Sequence, residues 1–477
     1  MKNNFEFLLI LILCIKYLYS EWYPDTRVTN DFAASYTSLN NTKSLAISGD
    51  TIHAVWVDER DGNPEIYYAR SFDKGETWES PRRLTYNDSL SLYPAIAVKD
   101  SFVHIVWSDF RDDGAGEIYY KRSRDYGETF ESERRITYAP LGSGWASVAV
   151  WNSTVHIVWD DARNYIDYQI YYTRSLDNGE SFEPERQITT PTNLAQLGPS
   201  ICVWDSIVHI VWYDLREFNT GYKIYYTRSL NNGESFEQDR KITYINSDIR
   251  YCSISCYDSL VGVVYVDLNT NTVYFSRSVN RGVSWTSPTL LGDMDEKEEW
   301  EPSISIYKNY IRAIWEEKHN NKFYLIYKYS ENKGLHWKPE TILVSADNSY
   351  GASIVDDGKK VCVLWTDTRD WNEEIYFKKN VYVNVMEKSL KNKTNIFLSS
   401  VYVRDGVIPL KIINSNKPLK IYLFNKYGKC VLNKKYFADV SCIFDKSLKI
   451  IPDEIYFLKV LVGKDEYKFK VFKLREE

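Results

Sequence analysis

Through the first 380 positions, short apolar or alternating runs recur between clusters of Gly, Asn, Asp, Ser and Pro, the pattern of strands and tight turns. In one stretch Pro94 to Val98 is apolar, Val103 to Trp107 is a second such run, and Glu117 to Ser123 alternates. A Gly-bearing turn at Asp125 to Gly127 leads to a fourth run, Arg134 to Tyr138. The unit repeats. The string S-x-[DN]-x-G starts at Ser71, Ser123, Ser175, Ser229, Ser278 and Ser330, at spacings of 52, 52, 54, 49 and 52. Three positions after each Gly stands an aromatic: Trp78, Phe130, Phe182, Phe236, Trp285 and Trp337. Four short strands in units of this length predict the blades of an all-β propeller.

The second-strand motif occurs seven times, ending at Trp56, Trp107, Trp159, Trp212, Tyr265, Trp315 and Trp365. The last unit keeps a third strand, Glu374 to Phe377, and has no fourth. Trp22 to Thr29 matches Trp78 to Thr85 in the offset from aromatic to Thr. The expectation is a seven-bladed propeller whose last blade is completed by the N-terminal strand, which leaves no sheet edge open.

The string S-x-D-x-G-x-[TS]-[WF], seen at Ser71, Asp73, Gly75, Thr77 and Trp78, resembles the Asp-box, or BNR repeat, of the sialidase superfamily. The resemblance covers nearly all of residues 21–380. It implies that Asp73, Asp125, Asp177, Asn231, Asn280 and Asn332 bond turn amides between the third and fourth strands, with the aromatic packed between blades. Members that cleave sialosides use three Arg, a Tyr activated by a Glu, an Asp acid/base and an Arg-Ile-Pro element. Here Arg27 is followed by Val28 and Thr29, no Arg-Ile-Pro occurs, and the characterised sialidase ring has six blades. Catalysis of that kind is therefore the alternative reading, and no catalytic residue is assigned.

Chemistry is sought on the face formed by the loops after the second strands and those leading into the next blade. Five second strands run into W-x-D-x-R, pairing Asp58, Asp109, Asp161, Asp214 and Asp367 with Arg60, Arg111, Arg163, Arg216 and Arg369. The five Arg form a candidate ligand-binding rim, because guanidinium forks suit carboxylates. Their repetition favours a structural role, since one asymmetric ligand cannot use five equivalent positions alike. His53, His104, His156 and His209 recur at one strand position on separate blades, which reads as packing rather than metal binding. Asymmetry is the better clue. Tyr265 breaks the Trp pattern, and Glu316 and Glu317 break the Asp pattern. Glu298, Glu299, Trp300 and Glu301 precede blade six; they read first as a solvated acidic loop, with a sugar-stacking rim as the alternative.

Charge divides the chain. Residues 381–477 hold 19 Lys plus Arg against 10 Asp plus Glu, and the preceding 380 hold 40 against 55; all 15 Trp lie before residue 381. An acidic first domain argues against a nucleic-acid partner. The start, Met1 to Ser20, has a Lys and then an apolar run too short to span a bilayer, which predicts a secretory signal cleaved near Ser20. Cys252 and Cys256 are four apart in a predicted strand, about 13 Å at strand rise, too far to bond. The cysteines have no metal-ligand spacing, and neither metal nor cofactor is expected.

From Val381 the repeat stops. Asn395 to Val403, Leu419 to Phe424, Lys429 to Phe437, Ile455 to Val462 and Tyr467 to Leu474 read as a small antiparallel β-sandwich. Pro452 to Phe457, through Gly463 to Lys470, resembles the C-terminal sorting domain of the type IX secretion pathway, with Glu454 where that family has Gly. The resemblance implies export machinery as a partner; a plain accessory sandwich is the alternative. The domains are then a signal at 1–20, a propeller at 21–380 and a sandwich at 381–477. The function expected is a secreted or cell-surface, monomeric, non-catalytic propeller that binds glycan or protein on its rim. A sialidase-like hydrolase and a structural surface protein are the alternatives.

Overall fold

A computed structural model describes residues 22–38, 43–112, 114–163, 167–293, 297–345 and 348–381, and strands between 395 and 473. The signal segment lies outside the described residues. The chain divides into two compact units, one of them Tyr23–Lys379.

That unit is a seven-bladed β-propeller. Each blade is an antiparallel sheet ordered by sequence, as in Ser91–Lys99, Phe102–Asp109, Glu117–Ser123 and Arg134–Arg135. The first strands of all seven blades neighbour one another in a closed ring around the axis. Fourth strands are shorter than the apolar run suggests, because the Thr137 hydroxyl takes the Ile118 amide at 2.8 Å and replaces a ladder bond. Blade seven, Ser349–Asp356, Lys360–Asp367 and Glu374–Val381, is completed by Thr26–Arg27, with Thr26 opposite Phe377 and Arg27 opposite Tyr376. The N-terminal strand thus closes the last blade.

Between blades the core is a stack of aliphatic side chains around buried Trp56, Trp107, Trp159, Trp212, Trp315 and Trp365. The repeated turns fasten blade to blade. In the first, Asp73 accepts from the Thr77 amide at 2.9 Å and its hydroxyl at 2.7 Å, and the Ser71 hydroxyl accepts the Gly75 amide at 2.8 Å. Lys74 and Gly75 have φ of 63° and 83°, and a Cβ on Gly75 would lie 2.3 Å from Phe377, so only Gly fits there. Burial would raise the carboxyl of Asp73, but the hydrogen bonds outweigh it and hold it down to about 2. Asp125 and Asp177 repeat this, and Asn231, Asn280 and Asn332 accept the corresponding amides.

In the second unit Tyr402–Val403, Asp465–Lys473, Ile455–Val462, Leu419–Asn425 and Cys430–Tyr436 form one sheet, the first pairing being parallel and the rest antiparallel. Asn395–Leu398 pairs with Leu410–Ile413, and Val407–Ile408 with Ile443–Phe444. Gly428, Lys429, Glu454 and Gly463 lie outside the described residues.

Candidate functional site

The five W-x-D-x-R motifs build five identical clasps. In blade two, Asp109 accepts the Trp107 indole at 2.8 Å and is gripped at both oxygens by Arg111, at 2.8 and 2.6 Å. Arg111 also pairs with Glu133 and lies over the Tyr119 ring at 4.6 Å. Arg60, Arg163, Arg216 and Arg369 repeat the grip, with Asp31, Glu185, Asp239 and Asp25 as second carboxylates. Every fork is spent inside the protein.

Blades five and six break the clasp. Tyr265 is a core residue: it is fully buried and its hydroxyl meets Ser276 at 2.9 Å, so it is not on the rim. Glu317 reaches Lys297 at 3.1 Å, and the buried Trp315 indole N–H finds no acceptor among the described residues. Nor is Glu298 to Glu301 a solvated loop. It begins the first strand of blade six, Glu298–Tyr307, where Glu299 is buried and accepts the Val273 amide at 2.5 Å and the Asp293 amide at 3.2 Å. Burial pushes Glu299 up to about 8.

Near the rim-side end of the channel, the first strands of blades two to seven carry a β-bulge, as between Leu92 and Ala95. One bulge residue in each has positive φ: Tyr93, Trp145, Gly198, Tyr251, Glu301 and Gly351. A bulge re-aims side chains, and the bulges, with Tyr36 of blade one and Tyr213 on the second strand of blade four, leave one aromatic per blade around the mouth. They are Tyr36, Tyr93, Trp145, Tyr213, Tyr251, Trp300 and Tyr350; Tyr213 fills the space above Gly198, and the others are half-buried. Tyr93 and Trp145 meet edge to face at 6.1 Å, Tyr213 and Tyr251 at 6.5 Å, and Tyr251 and Trp300 at 5.7 Å.

Three carboxylates sit within this belt. Asp160 and Glu316 occupy the position between the repeat Trp and its acid, which reads Val57, Ser108, Asp160, Tyr213, Val266, Glu316 and Thr366 around the ring. Asp160 accepts the Gly198 amide at 3.1 Å and Glu316 the Gly351 amide at 2.5 Å, each on the next blade. Thr366 does the same for the Thr37 amide at 2.8 Å, so a hydroxyl suffices for that structural task. Burial pushes Asp160 up to about 8 and Glu316 up to about 7. Glu301 is raised well above the carboxylate range by burial and then by Glu316 beside it. Tyr213 lies in the field of both Asp160 and Glu301, so the acids of blades three and six border one mouth.

Below the mouth the channel is blocked. In blade one the bulge is replaced by an excursion between Ser35–Tyr36 and Leu45–Ser48, both of which pair with Thr51–Asp58. From it Lys43 crosses the ring to donate to the Ile201 carbonyl of blade four, and burial pushes its ammonium down to about 8. The result is a mouth with aromatic walls, proton-bearing acids from blades three and six and a stopper beneath.

Of the rim candidates, the structure brings Trp300 and Glu316 to this mouth. Arg60, Arg111, Arg163, Arg216 and Arg369 stay in their clasps, Glu317 in its ion pair and Tyr265 in the core. Asp160, Tyr213, Tyr350 and the Lys43 stopper escaped the sequence reading. The signal for the acids was the one variable position in an otherwise repeating motif. The signal for the stopper was five extra residues between Ser35 and Trp56, compared with Ser91 to Trp107. The four His are buried and accept or donate at Nδ1 to Tyr68, Tyr120, Tyr172 and Tyr226, at 2.7, 2.7, 2.6 and 2.7 Å. No metal-binding group of three ligands occurs among the described residues. A separate groove of about 310 Å³, between Arg134, Arg135, Phe182 and Glu183 at the outer edge, is built of repeat residues.

The fold and this mouth define a seven-bladed β-propeller with a stoppered, aromatic-lined axial site. No family model matches the chain, and no curated protein matches it. Among solved structures, an ulvan lyase of a polysaccharide lyase family aligns over 75% of this chain and 94% of its own, with TM-score 0.51 and 11% identity. The phage phi92 endosialidase aligns over 78% and 71%, with TM-score 0.49 and 10% identity. The NanB sialidase of Streptococcus pneumoniae aligns over 77% and 70%, with TM-score 0.38 and 12% identity. What the chain shares with the ulvan lyase is the propeller fold.

Proposed function

We propose that the protein is a secreted or cell-surface propeller of the Asp-box kind that recognises a glycan at the rim-side mouth of its channel. The observation that carries this is the belt of one aromatic per blade enclosing Asp160, Glu301 and Glu316. Sugar rings stack their C–H faces on aromatics, and carboxyl groups take their hydroxyls. The ulvan lyase that shares the fold was solved bound to -[GlcA(1-4)Rha3S]-, an acidic glycan, which supports a glycan as the ligand; the charge of this chain's own ligand rests on its site alone. The glycan is one without acidic groups. The five Arg forks are spent in clasps, and Arg250, beside Tyr251, is held by Asp248 at 3.1 and 2.8 Å. A carboxylate or sulfate brought there would find these Arg forks already paired, and its charge would oppose ionisation of the three acids. The second unit, on its sorting-domain resemblance, serves export.

A second reading, cleavage of a glycosidic bond, is favoured by one observation. Asp160 and Glu316 hold their protons near neutral pH, as a general acid must, and Tyr350 donates its hydroxyl to Glu373 at the same mouth. Isothermal titration of uncharged and acidic oligosaccharides, run beside a chromogenic glycoside panel, tests both. Binding of uncharged glycans that Trp300→Ala abolishes supports the proposal. Turnover lost in Glu316→Gln or Asp160→Asn makes the protein an enzyme, and binding confined to acidic glycans overturns the site.

A further inference from the structure

The same hydrogen-bonded frame occurs twice on the rim and presents different side chains. Between blades one and two, Asn63 donates to the carbonyls of Asn87 and Ser89, at 3.0 and 2.8 Å, and to Glu65 at 3.2 Å. Between blades seven and one, Asn372 donates to the carbonyls of Asp31 and Ala33, at 2.8 and 3.2 Å, and to Glu374 at 3.1 Å. The turns before each Asn also match: the Gly62 amide bonds the Glu59 carbonyl at 3.0 Å, and the Trp371 amide bonds the Thr368 carbonyl at 3.1 Å. In the first frame the displayed residues are Gly62 and, between the two accepting carbonyls, Asp88. In the second they are Trp371 and Phe32.

Neither aromatic has a folding reason to be there. Gly62 has φ of 96° and Trp371 keeps φ of 77°, a left-handed conformation that is strained for a bulky residue. Trp371 is 100% exposed and Phe32 107%, so no packing offsets that strain. A strained, fully wetted indole where a sister blade has glycine calls for a ligand. Two separate rings on a polar frame are not the broad apolar patch of a protein interface. The charges around them are already balanced, Asp370 by Arg27 at 3.1 Å and Asp31 by Arg60 at 2.5 Å, so the ligand is uncharged. The frame also leads to the mouth: Glu373, next to Asn372, takes the hydroxyl of Tyr350, whose neighbour Gly351 bonds Glu316.

We infer that Trp371 and Phe32 form an outer subsite that stacks on distal sugar units of an uncharged oligosaccharide whose end lies in the channel mouth. This rests on the reading of the mouth given above. The test is binding of the full chain to a series of uncharged oligosaccharides from two to eight units, by array and then titration, with Trp371→Gly, Phe32→Asp and the double variant. Each replacement restores the residue of the sister frame. Melting temperature is expected to stay level or rise for Trp371→Gly. Affinity for long chains is expected to fall about tenfold or more while that for disaccharides holds. Trp371→Phe should recover part of the loss. Unchanged affinity for long chains in the double variant overturns the subsite, as does wild-type protein that binds no uncharged glycan. Loss of disaccharide binding in Trp300→Ala, with no chain-length effect of Trp371→Gly, leaves the mouth standing and removes the subsite. Loss of long-chain affinity in Trp371→Gly with Trp300→Ala silent does the reverse.

Discussion

Trp78 of blade one meets Phe377 of blade seven edge to face, with ring centroids 5.1 Å apart. The same contact recurs at the blade interfaces, as with Tyr68 and Phe130 at 5.0 Å or Phe275 and Trp337 at 5.1 Å. At the closure it joins residues some 300 positions apart in sequence, so the first and last blades depend on it. Lys379 backs it by donating to the Lys74 carbonyl at 2.9 Å and to Glu76 at 2.7 Å. Phe377→Ala is therefore expected to cost roughly 3 to 5 kcal/mol, and Phe130→Ala about the same. The distinguishing measurement is cooperativity in urea. Opening the closure should lower the slope of the transition as blades one and seven fray separately, and a mid-ring change should not.

The clasps carry a second expectation. The Asp109 side chain has no solvent exposure and that of Arg111 has 23%, so removing the guanidinium leaves a buried carboxylate with only neutral donors: the Trp107 indole, the Ser91 hydroxyl, the Asn87 side-chain amide and the backbone amide of residue 111. Arg111→Ala is expected to cost about 2 to 4 kcal/mol, somewhat below a fully buried pair because Arg111 is partly wet. Glycan affinity should not change. A rim Arg whose loss leaves stability intact and removes binding would return the five Arg to the ligand site.

How far the sequence carried this picture depended on repetition. The blade count, the closing N-terminal strand and the turn chemistry all follow from residues that recur at fixed spacing, because equivalent positions in a ring have equivalent surroundings. The mouth is made where the repeat departs from itself. Trp300 and Glu316 were visible as departures, yet the run from Glu298 to Glu301 reads as a wet loop because four polar or amphipathic residues outweigh the strand they begin. Tyr265 misled for the opposite reason. Its departure from Trp is accommodated inside the core by the Ser276 hydroxyl. Tyr350 gives no linear signal, since only the bulge and the ring bring it to the mouth, and Tyr213 shares the variable position of the acids.

The buried acids make stability depend on pH with a definite sign. A carboxyl whose folded pKa is raised contributes stability below its unfolded pKa of about 4, and loses it as pH climbs through the folded value. For Glu316 and Asp160 those folded values are about 7 and 8, so wild-type stability should decline between about pH 4 and pH 8 relative to Glu316→Gln and Asp160→Asn. The four buried His pull the other way: burial drops them to about 3, so the unfolded chain takes up their protons below about 6.5. Above pH 6.5 the acids act alone among these groups. Thermal melts from pH 6.5 to 8 should show a falling wild-type curve and flatter variants; parallel curves would mean both acids are ionised throughout.

The His and Tyr pairs yield the last test. Tyr68 reaches under the turn of the next blade: its hydroxyl meets His53 at 2.7 Å, and a Cβ on Gly127 would stand 2.0 Å from that oxygen. Gly127 also has φ of 78°. Gly127→Ala therefore suffers twice, from backbone strain and from collision, and is expected to cost several kcal/mol. Tyr68→Phe alone should cost about 1 to 2 kcal/mol, because it leaves the buried His53 ring nitrogen unpaired. The double variant should cost less than the sum, since removing the hydroxyl relieves the worst contact while the ring carbon at 2.8 Å keeps part of it. Additive costs in that cycle would mean that strain at φ, rather than the tyrosine beneath, excludes every residue but glycine. Chelator should leave all four proteins' melting temperatures unchanged, because Nδ1 of His53 is tied to the Tyr68 phenol.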